Sequence, residues 1–134
     1  AGWIRKPETM KDRQRRTMAD LRSLATAIEE YSIDNNTYPD LRDSIDFIDD
    51  IAAHLSPVYI RRIPREDGWN NPILGWSTPE GYLLYSMGAD GVPERTYHLN
   101  VMHEGDWGGR TQSYASDIVF INGSFFQWPE GPQH

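Results

Sequence analysis

Apolar side chains recur at helical spacing through residues 21–31, while polar side chains fill most positions between them. The stripe consists of Leu21, Leu24, Ala25, Ile28 and Tyr31. Steps of three and four residues place one apolar face along an amphipathic helix. We predict that this helix begins between residues 7 and 11. It should end near Asn35, because Asn tolerates the left-handed conformation of helix ends and Pro39 forbids continuation.

A second apolar stripe predicts a shorter helix over residues 44–55. The residues that share its face are Ile45, Ile48, Ile51, Ala52 and Leu55. Ser44 or Asp43 can cap its start, because a side-chain oxygen there accepts a hydrogen bond from a free N–H of the first turn. Pro57 closes this helix.

The pattern then changes to short runs of β-branched and aromatic residues. The four predicted strands cover residues 73–76, 81–86, 117–121 and 124–128. Turn residues 77–80 join the first two strands, and Asn122-Gly123 is a strong hairpin signal between the last two. Residues 88–116 form a long region rich in glycine and polar residues. A loop of that length in a compact domain is usually functional, held down by contacts, or mobile.

Helices followed by an antiparallel meander predict an α+β fold, in which a long N-terminal amphipathic helix packs on a small antiparallel β-sheet of three to four strands. A length of 134 residues favours a single domain with a core of its own. Its parts are a basic helix start (1–16), the main helix (17–36), a short helix and connector (37–72) and the sheet with its long loop (73–128).

Charge is distributed unevenly along the chain. Residues 1–16 hold six Lys/Arg against two acidic residues, a net charge of +4, so the remainder carries −11 to give the total of −7. An acidic body repels phosphate backbones, which argues against a nucleic-acid partner. A basic end on an acidic body suits head-to-tail contact between copies or an anionic membrane surface, and a solvated helix start is the alternative.

Four patches in a fixed order resemble the pseudopilins of type II secretion systems, the major pseudopilin most of all, and more broadly the type IV pilin-like proteins. Residues 21–39 carry a helix end followed by Tyr, Asp-Asn and Tyr-Pro. Residues 59–72 read YIRRIPREDGWNNP, with Glu-Asp-Gly-Trp where the family typically has Asp-Pro-Trp-Gly. Residues 85–91 read YSMGADG, and residues 116–118 read SDI.

The resemblance implies a pilin-like structural subunit that self-associates into a filament with other pseudopilins and contacts the inner-membrane secretion machinery. It implies a periplasmic domain, anchored in the inner membrane by an apolar N-terminal helix that is missing here. No run of about 18 apolar residues is present in the sequence. Residues 1–7 depart from the family, because they lack its apolar run and early Glu, and an initial Ala1 suggests a processed or truncated product.

The resemblance also implies calcium, which this family binds in the loop between the last two motifs through carboxylates and backbone carbonyls. Carried over residue by residue, the side-chain ligands would be Asp90 and Asp117, with Ser86 nearby. Calcium takes six to eight oxygen ligands in irregular geometry and can hold a loop that lacks a core.

Alternatives to this calcium site remain open, because 26 residues separate the two aspartates. The insertion could supply further ligands, or replace the ion with its own packing. Those further ligands would be Glu94, Glu104 or Asp106. In the simplest alternative, Asp90 belongs to a turn and Asp117 caps a strand.

Other chemistry is poorly supported by the sequence. His98, His103, Glu104 and Asp106 lie in a glycine-rich loop without the helical spacing of a transition-metal site, so they are better read as surface polar residues. The chain has no cysteine, nucleophile motif, phosphate loop or dinucleotide fingerprint. We therefore predict that it is not an enzyme.

Five tryptophans raise one more question about contact surfaces. We predict that Trp69 and Trp76 lie in the core, and leave Trp107 and Trp128 open between core and contact surface. A different class of function also stays open: a calcium-dependent or aromatic-lined extracytoplasmic binding module that forms no filament.

Overall fold

The computed structural model describes residues 6–98, 101 and 107–134. Helix α1 (Met10–Asn35) leads into helix α2 (Phe47–Leu55) and then into one five-stranded sheet. Its strands are β1 (Leu74–Thr78), β2 (Gly81–Ser86), β3 (Gly109–Thr111), β4 (Ile118–Ile121) and β5 (Ser124–Pro129). They lie in the order β1-β2-β4-β5-β3, and all neighbours are antiparallel except β3 and β5. The predicted α+β class is confirmed.

Both ends of α1 follow the local sequence. Thr9 accepts a hydrogen bond from the backbone N–H of Asp12 (3.0 Å), and the Asp12 carboxylate accepts one from the N–H of Thr9 (3.1 Å). This reciprocal capping box satisfies N–H groups that have no partner within the helix. At the other end Asn36 is left-handed, with φ of 57°, so the predicted stop signal is confirmed.

The apolar stripe of α1 packs on one face of the sheet. Leu21, Leu24 and Ile28 are fully buried. Their partners in the same core are Tyr82 and Leu84 of β2, Ile118 and Phe120 of β4, and Ile51 and Leu55 of α2. This helix-side core is the one that the helical periodicity predicts.

The other sheet face carries a second core, to which the chain between β2 and β3 contributes. Leu83, Val119 and Ile121 alternate with the residues that face α1, so their side chains lie on the opposite side of the sheet. Tyr97 and Val101 of the long loop are buried against them. Tyr85, Trp107 and Phe126 complete this loop-side core.

Helix α2 begins later than the sequence suggests. Asp46, and not Ser44 or Asp43, occupies the cap and accepts a hydrogen bond from the N–H of Asp49 (3.3 Å). Ile45 therefore precedes the helix and is fully exposed. Placing Ile45 on the apolar face is wrong, because helical periodicity does not apply to the irregular segment before the cap.

Strand β3 and two tryptophans also differ from expectation. Strand β3 is not among the four predicted strands. It has three residues and forms by parallel pairing with β5. Trp69 and Trp76 are half-buried and belong to neither core, so their assignment to the core is wrong. Trp76 lies on the edge strand β1, and the Trp69 indole N–H donates to the Met10 sulfur at 3.4 Å.

No helix within the described parts of the chain is long and apolar enough to cross a membrane.

Candidate functional site

Asp117 lies directly before β4 and is completely buried. Its Oδ2 accepts hydrogen bonds from the backbone N–H of Glu94 (2.8 Å) and from the hydroxyl of Tyr97 (2.6 Å). Both donors belong to the long loop. Asp117 is therefore the point at which this loop is attached to the sheet.

The Glu94 carboxylate completes the attachment. Its Oε1 accepts from the backbone N–H of Asp117 (2.6 Å) and from the side-chain amide of Gln127 (2.9 Å). The same amide group donates to the backbone carbonyl of Asp117 at 2.8 Å. Because Gln127 is on β5, the network joins the loop to two neighbouring strands.

One oxygen of this buried carboxylate is unpaired among the described residues. Asp117 Oδ1 forms no hydrogen bond within the described structure. Such an atom ordinarily costs about 1–3 kcal/mol, and more when it is charged. Asp117 Oδ1 therefore keeps its full capacity to accept a hydrogen bond or to contact a cation.

Burial and neighbouring charges both change the pKa of the Asp117 carboxyl group. Burial raises the pKa of its carboxyl group above the ordinary value, although hydrogen bonds from Tyr97 and the Glu94 backbone oppose this. The negative charges of Glu94 and Asp90 raise that pKa further. Burial and the adjacent Asp117 also raise the pKa of the Tyr97 hydroxyl. Two neighbouring carboxylates thus act on the Asp117 carboxyl group, while the Arg95 guanidinium acts in the opposite direction on Tyr97.

The predicted ligands Asp90 and Asp117 are close enough to interact electrostatically, but Asp90 is on the surface. Asp90 Oδ1 accepts a hydrogen bond from the N–H of Val92 (3.0 Å), so Asp90 also organises its own turn. Among the residues that the structure describes, no three His, Cys, Asp or Glu side chains form a group able to hold a metal. A calcium ion here would need backbone carbonyls as well, which it accepts readily.

Ser86 is directed elsewhere. Its buried hydroxyl donates to Asp67 Oδ2 at 2.7 Å and accepts from the N–H of Gly88 at 3.1 Å. Of the three predicted site residues, Ser86 is therefore paired with Asp67 and holds the chain that leads toward Asp90. The remaining candidates His103, Glu104 and Asp106 lie outside the described residues, and His98 is half-buried in the loop.

Sequence reasoning missed Asp67, a fully buried carboxylate. Besides Ser86, it binds the backbone N–H groups of Trp69 (2.9 Å) and Asn71 (3.0 Å) through Oδ1. An Asp that opens a run of turn residues commonly bonds N–H groups two or more residues ahead. The turn-rich word Asp-Gly-Trp-Asn-Asn-Pro was the available signal.

This turn also docks on α1. The N–H of Gly68 donates to the Thr17 hydroxyl (2.8 Å), and the Arg13 guanidinium donates to the Gly68 carbonyl (3.1 Å). A Cβ at position 68 would lie 2.2 Å from the Arg13 carbonyl oxygen, so only glycine fits. The sequence patches at residues 59–72 and 85–91 thus fix the first turns of α1 relative to the sheet.

A long helix on a mostly antiparallel sheet, with a loop fastened by a buried aspartate, defines a pilin-like domain. The family model for type II secretion system, protein G, matches residues 7–101. The chain is 30% identical over 87 residues to the type II secretion system core protein G of Aeromonas hydrophila. No solved structure gives a significant match.

The chain belongs to the type II secretion system protein G family, and three of the four sequence patches lie within the matched residues. The aligned region covers 58% of this chain and 60% of the Aeromonas protein. The chain thus spans about 60% of the length of that curated relative.

Proposed function

We propose that the chain is a structural subunit of a periplasmic pseudopilus, or of a related pilus-like fibre, in a bacterial secretion system. The observation that carries this proposal is the family match over residues 7–101, which includes α1 and the docked turn. The fold supports it, because α1 presents one face to the sheet and leaves the opposite face exposed for contacts between subunits.

The same proposal places the domain in the periplasm, anchored in the inner membrane in its full-length form. Its partners would be further copies, other pseudopilins and the inner-membrane secretion machinery. The name of the Aeromonas relative, a core protein of type II secretion, supports this assignment.

We further propose that calcium binds beside Asp117, held by Asp117 and Asp90 together with carbonyls of the long loop. The unpartnered Asp117 Oδ1 and its two acidic neighbours support this. The ion would offset the negative charges of Asp117, Glu94 and Asp90, and so stabilise the loop on the sheet. Ser86 acts one step away, through its bond to Gly88.

The proposed function is tested in the organism that carries the gene. Deleting the full-length gene should abolish export of the proteins that the secretion system releases. A plasmid copy should restore export, and cross-linking of the complemented cells should capture the chain in assemblies larger than a dimer. Normal export in the deletion strain, or a chain captured only as a monomer in the complemented cells, would contradict the proposal.

A further inference from the structure

An exposed, mainly apolar groove runs along α1 where the helix meets the β4–β5 hairpin. Its volume is about 480 Å³. Ala25 and Ile33 line its helix side, and Phe120 and Phe125 line its sheet side. Ile33 is 79% exposed, although it is a large aliphatic residue. An exposed apolar groove rimmed by polar residues is a candidate interaction surface.

A second groove of about 330 Å³ adjoins the first and shares Glu30 and Ile33 with it. Val58 lines this second groove and is 78% exposed. Ile33 and Val58 form one apolar patch at the C-terminal end of α1, and the carboxylates of Glu30 and Asp34 border it. We call these four residues together the acidic patch. Within residues 6–98, 101 and 107–134, no Lys or Arg forms an ion pair with either carboxylate.

The opposite end of α1 carries the complementary chemistry. Met10 is 39% exposed, and Lys11 and Arg15 beside it are exposed and form no ion pair in the described structure. We call these three residues the basic end. Lys11 and Arg15 are four residues apart, as are Glu30 and Asp34, so each pair lies on one stripe of the helix.

One copy cannot bring these two surfaces together. Arg15 and Glu30 are separated by 15 positions of a continuous helix, which is about 22 Å along its axis. The Debye length at physiological salt is about 8 Å, so the two charges barely sense each other. Because the two surfaces lie at opposite ends of one continuous helix, they can contact each other only between two copies.

We infer that the basic end of one copy docks on the acidic patch of the next copy. Met10, together with the Trp69 ring that it contacts in its own copy, would pack against Ile33 and Val58, with the cations directed at the two carboxylates. This inference rests on the proposed function and names the surfaces that subunits use. The contact is head-to-tail, so each added copy leaves one basic end and one acidic patch free, and the assembly grows as an open chain.

Disulfide cross-linking tests this contact cleanly, because the chain has no cysteine of its own. The full-length protein is made as Arg15→Cys and as Ile33→Cys, and the two are co-expressed in the deletion strain. We expect a cross-linked dimer only when both variants are present. Ser23→Cys, an exposed position on α1 that lines neither groove, replaces Ile33→Cys as the matched control and should give none.

Charge reversal provides the second arm of the test, with the first cysteine moved from position 15 to position 10. Lys11→Glu with Arg15→Glu, scored with Met10→Cys against Ile33→Cys, should lower cross-linking several-fold. Glu30→Lys with Asp34→Lys should do the same. Combining the two reversed proteins restores opposite charges across the contact and should restore the cross-link.

Three results would overturn the inference. They are a cross-link formed by Ile33→Cys alone, a cross-link from Ile33→Cys to a protein of another size, and fibres that assemble and export normally without the Arg15–Ile33 cross-link. The last result would contradict this contact and leave the proposed function standing. Failure of the proposed function itself would be seen separately, as normal export in the deletion strain.

Discussion

The two faces of the sheet are both covered, but they are covered by different means. On the helix side, fully buried aliphatic residues of α1 meet the sheet in a continuous apolar core. On the loop side, Tyr97, Val101 and Trp107 meet a smaller apolar surface, and Asp117 supplies a polar attachment. The helix-side core is held by buried area, whereas the loop-side core also depends on satisfying one buried charge.

The two faces should therefore differ in what their stability depends on. Burying a Leu or Ile side chain contributes about 1.5–3 kcal/mol and does not depend on ions. A buried carboxylate is costly unless each oxygen finds a partner. The loop side should therefore respond to calcium and to single polar substitutions, and the helix side should not.

The largest effect is expected on the helix side. Leu24→Ala removes a fully buried side chain and leaves a cavity, so it should lower the free energy of unfolding by about 2–5 kcal/mol. Urea denaturation followed by circular dichroism measures this. The matched control is Ser23→Ala at the neighbouring exposed position, which should change it by less than about 0.5 kcal/mol. A loss below about 1 kcal/mol for Leu24→Ala would show that α1 is not the main support of the core.

Calcium should give the next largest effect, and only through the loop side. Free calcium at about one hundred times its Kd should raise the free energy of unfolding by about 2.7 kcal/mol. Thermal melts with millimolar calcium and with chelator measure the shift. Asp117→Asn should abolish it, while Asp20→Asn, a carboxylate on α1, should leave it intact. An unchanged midpoint for the unmodified chain would remove the calcium site.

Tyr97→Phe tests the hydrogen bond to Asp117 without changing the packing. Losing a donor to a buried carboxylate should cost about 1.5–3 kcal/mol. Tyr85→Phe is a well-matched control, because its ring stacks on Tyr97 with centroids 4.2 Å apart and its hydroxyl bonds no described residue. Chemical denaturation compares the two, and equal losses would refute a special role for the Tyr97 hydroxyl.

The smallest effect is expected at the sheet edge. Arg110 on β3 lies 3.8 Å from Glu130, and both side chains are largely exposed. Arg110→Ala should therefore change the free energy of unfolding by less than about 0.5 kcal/mol, because exposed ion pairs contribute little. Strand β3 depends on its backbone pairing with β5. A loss above about 1 kcal/mol would mean that the side chain holds this strand.

The helix side could be predicted from sequence because its signals are local. The stripe from Leu21 to Ile28, the left-handed Asn36 and the Asn122-Gly123 turn each follow from neighbouring residues. Strand β3 could not be predicted, because a glycine-containing segment of three residues becomes a strand only when β5 lies beside it. Ile45 was misplaced because an apolar residue before a cap looks periodic without being helical.

The candidate site shows the same division. Asp90 and Asp117 could be named from the family motifs, and their roles as ligands stay predictions. The Ser86–Asp67 pair could not be foreseen, since its partners are 19 residues apart and meet only in the folded chain. Glu94 could be named only as a possible further ligand, and its hydrogen bonds to the Asp117 N–H and Gln127 could not be foreseen. The bond from Tyr97 to Asp117 was hidden for the same reason, because nothing in the local sequence relates the loop to a residue 20 or more positions away.

Hydrogen exchange tests most directly whether Asp117 holds the loop on the sheet independently of the helix-side core. Backbone amides are followed by mass spectrometry in the unmodified chain and in Asp117→Ala at the same pH. We predict that residues 92–98 exchange at least about tenfold faster in Asp117→Ala, while residues 21–28 of α1 keep their protection. Loop and helix amides that accelerate together, or a loop that keeps its protection, would contradict this account.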